Sequence, residues 1–359
     1  MNLLPSQIYR QQADAGLIQD DPAQRAVVAL LDAMATALRL GPGSGLFGIR
    51  FGKPKAVKGL YLWGSVGRGK TLMTELLIAG LSGVPFQRWH FHRFMNDVHR
   101  QLAAMPDTAD TLAVLAKRIA AGCRLLVLDE FFVSDIGDAM ILHRLLDQLV
   151  AHGVSFVSTS NVAPDELYPN GLQRASFLPC IALIKRECTV VELLGAQDYR
   201  LRTLRHAATY LVPPSMENEA LLVRQYQSLS GQKPAADQIE INDRCIPAKA
   251  ISAGVAWFEF RALCEGPRSA ADYIEIARDF HTLMLSGVPR FDAGNEEAAR
   301  RFVYLVDELY DRHVNLLISA EADALSLYSG HHLKREFERT CSRLIEMQST
   351  EFLALEHRP

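Results

Sequence analysis

Gly64, Gly69, Lys70 and Thr71 meet the spacing G-x-x-x-x-G-K-[ST], and Ser65, Val66, Gly67 and Arg68 fill the turn between them. The apolar run Leu60-Tyr61-Leu62-Trp63 precedes the turn and Leu72-Met73-Thr74-Glu75-Leu76-Leu77 follows it, the strand–loop–helix order in which such a turn wraps phosphate. Each residue type has a physical task. The glycines let successive N–H groups and the helix N-terminus face negative charge. Lys70 can then reach the β- and γ-phosphates of a nucleoside triphosphate as a point charge, and the Thr71 hydroxyl is placed to ligate Mg²⁺.

A second set of chemical groups stands in Leu125-Leu126-Val127-Leu128-Asp129-Glu130. Four consecutive apolar residues predict a strand buried on both faces of a parallel sheet, with two carboxylates at its C-terminal end, where ligands bind in open α/β sheets. Asp129 is placed to hold the Mg²⁺ shell, and Glu130 to orient or deprotonate the attacking water. Further on, Gly153 to Asn161 predicts another strand with a polar end. Asn161, whose amide can hold a water or a phosphate oxygen, is the residue expected between the carboxylates and the γ-phosphate.

The elements that must position these groups follow from periodicity. Val27, Val28, Leu30, Leu31, Met34 and Leu38 recur at helical spacing after Asp20-Asp21-Pro22. Gln24 in this helix could reach an adenine edge, but its helix face is unassigned and it is expected to face solvent. Gly41 to Gly52 reads as a loop, Pro85 to His92 as a strand, and 107–122 and Asp138 to His152 as helices. The crowd Trp89, Phe91, Phe94 is expected in the core; His90, His92 and His99 lack a Cys or carboxylate cluster to complete a metal site. Asp165 to Arg174 reads as a short helix closed by Asn-Gly, and Thr189 to Leu193 as a final strand. Five strands alternating with helices predict a parallel α/β sheet. Tyr199 to Pro214 reads as a linker with a connecting helix. Beyond it, Val255 to Phe260 and Thr282 to Leu285 read as strands and Ala270 to Phe280 as a helix. Leu145-Leu146-Asp147-Gln148-Leu149 before Val154-Ser155-Phe156-Val157 is matched by Leu305-Val306-Asp307-Glu308-Leu309 before Val314-Asn315-Leu316-Leu317. A recurring helix–strand unit explains this as well as an ancient duplication does; no second phosphate turn accompanies it, so one nucleotide site is expected.

The whole chain of 359 residues has a formal net charge of −3, which leaves no overall electrostatic footprint for nucleic acid. Its six cysteines are dispersed with no C-x-x-C pair, which fits a reducing cytoplasm and indicates neither zinc nor a disulfide framework. No apolar run approaches the ~20 residues that cross a bilayer. The N-terminus has neither a secretory apolar segment nor an acid-free presequence, since Asp14, Asp20 and Asp21 come early.

The ordered set Gly-Ser-Val-Gly-Arg-Gly-Lys-Thr, His-Phe-His-Arg-Phe-Met, Leu-Asp-Glu-Phe, Ser-Thr-Ser-Asn, Gly-Leu-Gln-Arg and Ala-Arg-Arg-Phe-Val-Tyr-Leu-Val-Asp-Glu-Leu-Tyr-Asp resembles the ZapE-type family of bacterial cell-division AAA+ ATPases and their mitochondrial relatives. The resemblance runs over nearly the whole chain. It implies a P-loop NTPase core of AAA+ type, a parallel sheet flanked by helices, with a C-terminal α+β region. The expected domains are an N-terminal helical segment at 1–52, the ATPase core at 53–200 and the α+β region at 201–359, whose length departs from the small helical lid usual in AAA+ proteins. It further implies ATP and Mg²⁺ as ligands, hydrolysis to ADP and phosphate, and homo-oligomers when ATP is bound. FtsZ is the protein partner it points to; a helicase-loader-like role on nucleic acid and a nucleotide-dependent scaffold are the alternatives. Lys70 and Thr71 fall in the family's Walker A motif, Asp129 and Glu130 in Walker B, and Asn161 at its sensor. Arg174 falls where such proteins place the arginine that reaches a neighbour's γ-phosphate, with Lys185 and Arg186 as competitors. Arg339 and Arg343 are weaker candidates for a second sensor.

Overall fold

The computed structural model describes residues 3–16, 18–40, 55–65, 67–105, 110–133, 135–169, 171–194, 204, 208–242, 244–252 and 254–358. They divide into two compact units, Met1–Gln197 and Asp198–Pro359. Among the described residues no helix is long and apolar enough to cross a membrane. The Gly41 to Gly52 loop of the sequence reading lies outside the described residues.

In the first unit, helices α1 (Pro5–Asp14) and α2 (Pro22–Leu40) precede β1 (Gly59–Trp63), α3 (Lys70–Ala79), β2 (Phe86–His90), α4 (Phe91–Ala103), α5 (Thr111–Gly122), β3 (Leu125–Asp129), α6 (Ile136–Ala151) and β4 (Ser155–Ser160). A 3₁₀ turn (Pro164–Glu166), α7 (Arg174–Glu187) and β5 (Cys188–Glu192) complete it. The strands form one five-stranded sheet in the order β2-β3-β4-β1-β5, every pairing parallel. Successive side chains of a strand point to opposite faces, and the core divides accordingly. Leu126, Leu128 and Tyr61 pack with α4 to α7, whereas Leu125, Val127, Leu60 and Leu62 pack with α1 to α3. The apolar stripe Val27, Leu31, Met34, Leu38 presses α2 onto that second face. Phe91 and Phe94 are core residues, as expected.

Two local readings are corrected. Among the described residues of Asp165 to Arg174 no helix forms before Arg174, only the end of a 3₁₀ turn (Pro164–Glu166), because Pro169 restricts the residue before it and Tyr168 takes a left-handed φ of 54°. Arg174 instead opens a 14-residue helix, α7, which the sequence reading missed; Pro179 within it obscured the helical period. The linker assigned to Tyr199 to Pro214 holds an edge strand at its described end, β6 (Tyr210–Leu211); residues 199–203 and 205–207 lie outside the described residues.

The second unit continues from β6 with α8 (Met216–Ser230), the hairpin of β7 (Asp237–Ile241) and β8 (Arg244–Ala248), β9 (Ala250–Ser252) and β10 (Val255–Glu259). Then come α9 (Phe260–Cys264), α10 (Ala270–Asp279), β11 (Thr282–Val288), α11 (Glu296–Asp311), β12 (Asn315–Ala320), a 3₁₀ turn (Ala324–Ser326), α12 (Lys334–Glu346) and α13 (Thr350–Leu353). Its main sheet has the order β6-β12-β11-β10-β9, parallel except for the β10–β9 pair. Here too alternate residues serve opposite faces: Ala256, Phe258, Leu283 and Leu285 on one, Val255, Trp257 and Met284 on the other.

Candidate nucleotide and catalytic site

β1 delivers the chain to Gly64 at the carboxyl edge of the first sheet. The turn that follows needs glycine at three points: Gly64, Gly67 and Gly69 have φ of 145°, 76° and 90°. Space forbids side chains as well, since a Cβ on Gly64 would come within 2.9 Å of the Leu193 carbonyl and one on Gly69 within 2.6 Å of the Gln24 amide nitrogen. Ser65 is exposed and Arg68 half-buried on this turn; Val66 lies outside the described residues. Helix α3 then starts at Lys70 with Gly69 as its N-cap, no side-chain cap and no acidic residue in its first turn. Its first N–H groups are therefore oriented to receive an anion.

The Lys70 ammonium donates to the carbonyls of Gly64 (2.6 Å) and Ser65 (2.9 Å) and to Asn161 Oδ1 (3.0 Å). Asn161 reaches it because β4 lies beside β1 with Trp63 opposite Ser160, which puts the residue after β4 next to the loop after β1. Asp129, buried at 4 % exposure, ends β3 on the other side of β4. Its Oδ1 accepts from Thr159 Oγ1 (3.3 Å), and that hydroxyl in turn accepts from the Glu130 N–H (3.1 Å). Glu130 sits half-buried in the left-handed region at φ 53°, so the chain turns out of the strand there. Lys70, Asn161, Asp129 and Glu130 thus converge on one edge of the sheet from β1, β4 and β3, with Thr71 in the first turn of α3.

Two neighbours were not foreseen. Arg88 on β2 donates through Nε to Asp129 Oδ2 (2.5 Å) and through Nη2 to Thr74 Oγ1 (3.1 Å), and lies 4.0 Å from Glu75. Burial pushes the Glu75 carboxyl up to about 7; Arg88 opposes the shift and Asp129 adds to it. An arginine on the strand read at Pro85 to His92 was the available signal for this group. A third neighbour is Gln24, and its expected solvent exposure is overturned. It is 2 % exposed, donates from Nε2 to the Arg68 carbonyl (3.3 Å) and accepts from Tyr9 Oη (3.3 Å). The periodicity of α2 shows which residues share a face, not which element covers that face.

Arg174 does not join this cluster within its own chain. Its guanidinium donates to the carbonyls of Tyr168 (3.0 Å) and Asp165 (2.7 Å). Lys185 pairs with Asp165, and Arg186 with Glu187 and Asp147. In the second unit Arg339 and Arg343 both pair with Asp307.

The family described as AFG1-like ATPase matches residues 3–356. The cell division protein ZapE of Escherichia coli (strain K12) is 42% identical over 370 residues, covering 99% of this chain and 99% of that one. Lactation elevated protein 1 homolog B of Danio rerio is 31% identical over 347 residues, which cover 84% of this chain and 69% of the other. A crystal structure of DnaI covers 50% of this chain and 87% of its own at 16% identity and a TM-score of 0.36. AMPPCP-bound DnaA from Aquifex aeolicus covers 52% of each chain at 14% identity and a TM-score of 0.37. Both structural likenesses are too weak to bear on function. With a family match spanning almost every residue and full-length identity of 42% to one relative, the chain belongs to the AFG1-like ATPase family.

Proposed function

We propose that this chain binds Mg²⁺ and ATP at the Gly64–Thr71 turn, hydrolyses ATP to ADP and phosphate, and uses the turnover to remodel or regulate a protein partner in cell division. The observation that carries this reading is the meeting of Lys70, Asn161, Asp129 and Glu130 at one sheet edge beside an uncapped, glycine-cradled helix N-terminus. Lys70 would exchange its loop carbonyls for the β- and γ-phosphate oxygens, and the backbone N–H groups of Ser65, Gly67, Arg68, Gly69 and Lys70 would face the phosphates. Thr71 and Asp129 fit Mg²⁺ as two oxygen ligands of opposite elements, Asp129 leaving Arg88 for the task. Mg²⁺ when bound neutralises charge on the β- and γ-phosphoryl oxygens. Glu130 orients a water and takes its proton as the water oxygen attacks the γ-phosphorus. The bond to the β-phosphate oxygen breaks and ADP leaves with the electron pair. Asn161 holds that water or a γ-phosphate oxygen, and Arg174 of a neighbouring chain stabilises the charge spreading over the transferred group.

The partner side of the proposal rests on the family. FtsZ is the partner that the ZapE-type resemblance implies, a homo-oligomer formed on ATP the working state, and the cytoplasm the compartment. The test is steady-state phosphate release with Mg²⁺ and ATP, alone and with purified FtsZ or single-stranded DNA. Mg²⁺-dependent release stimulated by FtsZ is expected. Stimulation by the DNA alone, falling steeply with salt, would replace this reading by a nucleic-acid one.

A further inference from the structure

The second unit repeats the first. α6, β4, the 3₁₀ turn and α7 start at residues 136, 155, 164 and 174, and α11, β12, the second 3₁₀ turn and α12 start at 296, 315, 324 and 334, one constant offset throughout. Strand order agrees as well: β2-β3-β4-β1 in one sheet, β10-β11-β12-β6 in the other, all parallel. So does register. Phe86 to His90 pair with Leu125 to Asp129 as Val255 to Glu259 pair with Thr282 to Ser286, and Ser155 faces Leu125 as Asn315 faces Thr282.

Hydrogen bonds specific to the fold recur at the matched positions. Tyr61 donates to the Val162 carbonyl (3.1 Å) and Tyr210 to the Ala322 carbonyl (2.8 Å). The Glu130 N–H meets Thr159 Oγ1 at 3.1 Å, and the Gly287 N–H meets Ser319 Oγ at 3.0 Å, both residues having left-handed φ. Arg88 donates to Asp129 at 2.5 Å, and Trp257 donates to Ser286 at 2.8 Å. A repeated helix–strand unit explains none of these pairs; a repeated domain explains all of them.

The groups of the proposed catalytic site have been exchanged. Asp129 corresponds to Ser286, Glu130 to Gly287, Asn161 to Glu321 and Arg174 to Lys334. The phosphate turn corresponds to Val212-Pro213-Pro214-Ser215, where two prolines offer no N–H. Ser215 Oγ caps α8 by accepting from Asn218 N (3.2 Å), and Glu217 and Glu219 fill its first turn with negative charge. At the corresponding edge of the second unit, Lys249 is bound by Glu219 and by Glu259 (2.8 Å) over the Trp257 ring, and Ser286 Oγ donates to Glu219 (3.2 Å).

We infer that 208–358 is a second copy of the nucleotide-binding fold whose phosphate site is closed by the chain's own Glu219–Lys249–Glu259 cluster, so that this half is a nucleotide-independent module and each chain binds one nucleotide. The stoichiometry rests on the ATP site proposed above; the closure does not. Equilibrium dialysis of the full chain with Mg²⁺ and ATPγS is expected to find one nucleotide per chain and none in Lys70→Ala. A second equivalent bound by the wild-type chain overturns the closure. Hydrogen exchange without nucleotide tests the cluster independently of the first site. Lys249→Ala is expected to speed exchange at 212–219 at least tenfold while leaving 59–71 unchanged, with the milder Lys249→Arg close to wild type. Unchanged exchange at 212–219 in Lys249→Ala shows that the cluster does not hold this edge shut and sinks the assignment.

Discussion

Lys70 and Glu130 stand at one edge of the first sheet, and the function proposed here gives them separable tasks, one electrostatic and one protolytic. Lys70→Ala removes the charge held against the phosphates and is expected to lose nucleotide affinity. Glu130→Gln keeps shape and binding but cannot accept a proton, so turnover should fall roughly 10²-fold or more with ATP still bound. Nucleotide titration beside single-turnover hydrolysis checks the pair; near-native hydrolysis in Glu130→Gln excludes the base role. Glu75 adds a pH signature. Its folded-state value, about 7 against an ordinary 4.5, means that the folded chain holds a proton the unfolded chain has released over that window. Its contribution is therefore present below about 4.5 and lost as pH rises to about 7. Glu75→Gln stays neutral and is expected to unfold at higher urea than wild type at about pH 8, by up to about 3 kcal/mol, with the difference gone at about pH 4. An equal gain at both pH values would trace the effect to packing rather than ionisation.

At the scale of elements, α2 and the phosphate turn are one mechanical assembly. Gln24 links the Arg68 carbonyl to Tyr9, whose hydroxyl accepts from the Asp21 N–H (2.8 Å), so the entry of α2 and the middle of α1 brace the loop from behind. Gln24→Ala removes both hydrogen bonds of the brace; the one to the Arg68 carbonyl, of about 1 kcal/mol, no longer holds the loop, which should weaken nucleotide binding about fivefold and leave saturated turnover nearly unchanged. Fluorescent-nucleotide titration measures this, and an unaltered dissociation constant would reduce Gln24 to a packing residue. The position of Arg174 at the head of α7 also has meaning at this scale. The left-handed Gln173 (φ 55°) turns the chain into the helix, and the guanidinium stitches the 3₁₀ turn to it, so any reach toward a neighbour starts from an anchored base.

For the whole molecule the question is whether a complete site needs two chains. If Arg174 completes a neighbour's site, its loss should cost turnover far more than binding, and it should act in trans. Arg174→Ala alone should be nearly inactive, yet regain activity when mixed with Lys70→Ala, since some mixed interfaces pair an intact turn with an intact arginine. Recovery should vanish on dilution below the assembly constant. Only summed residual rates, at concentrations where mixed complexes are demonstrably formed, would move the role to Lys185 or Arg186.

The phosphate turn, the apolar acid-tipped strand and the α/β alternation were legible in the sequence because each is contiguous: the glycines, Lys70 and Thr71 act through a few bonds of backbone, and burial of β3 on both faces writes itself as four apolar residues. What lay beyond reach was set by neighbours distant in the chain. Strand order puts β4 between β3 and β1, and only this brings Asn161 to Lys70 and Thr159 to Asp129. The pairing of Arg88 with Asp129 joins two neighbouring strands far apart in the chain, and the burial of Gln24 depends on which face of the sheet α2 covers. The second copy of the fold showed in the sequence only as Leu145 to Val157 matched by Leu305 to Leu317, since a fold persists through apolar spacing and register after its chemical residues have been replaced. Tertiary pairing alone revealed it, because hydrogen bonds such as Tyr210 to Ala322 depend on where strands lie side by side and not on any local run of residues.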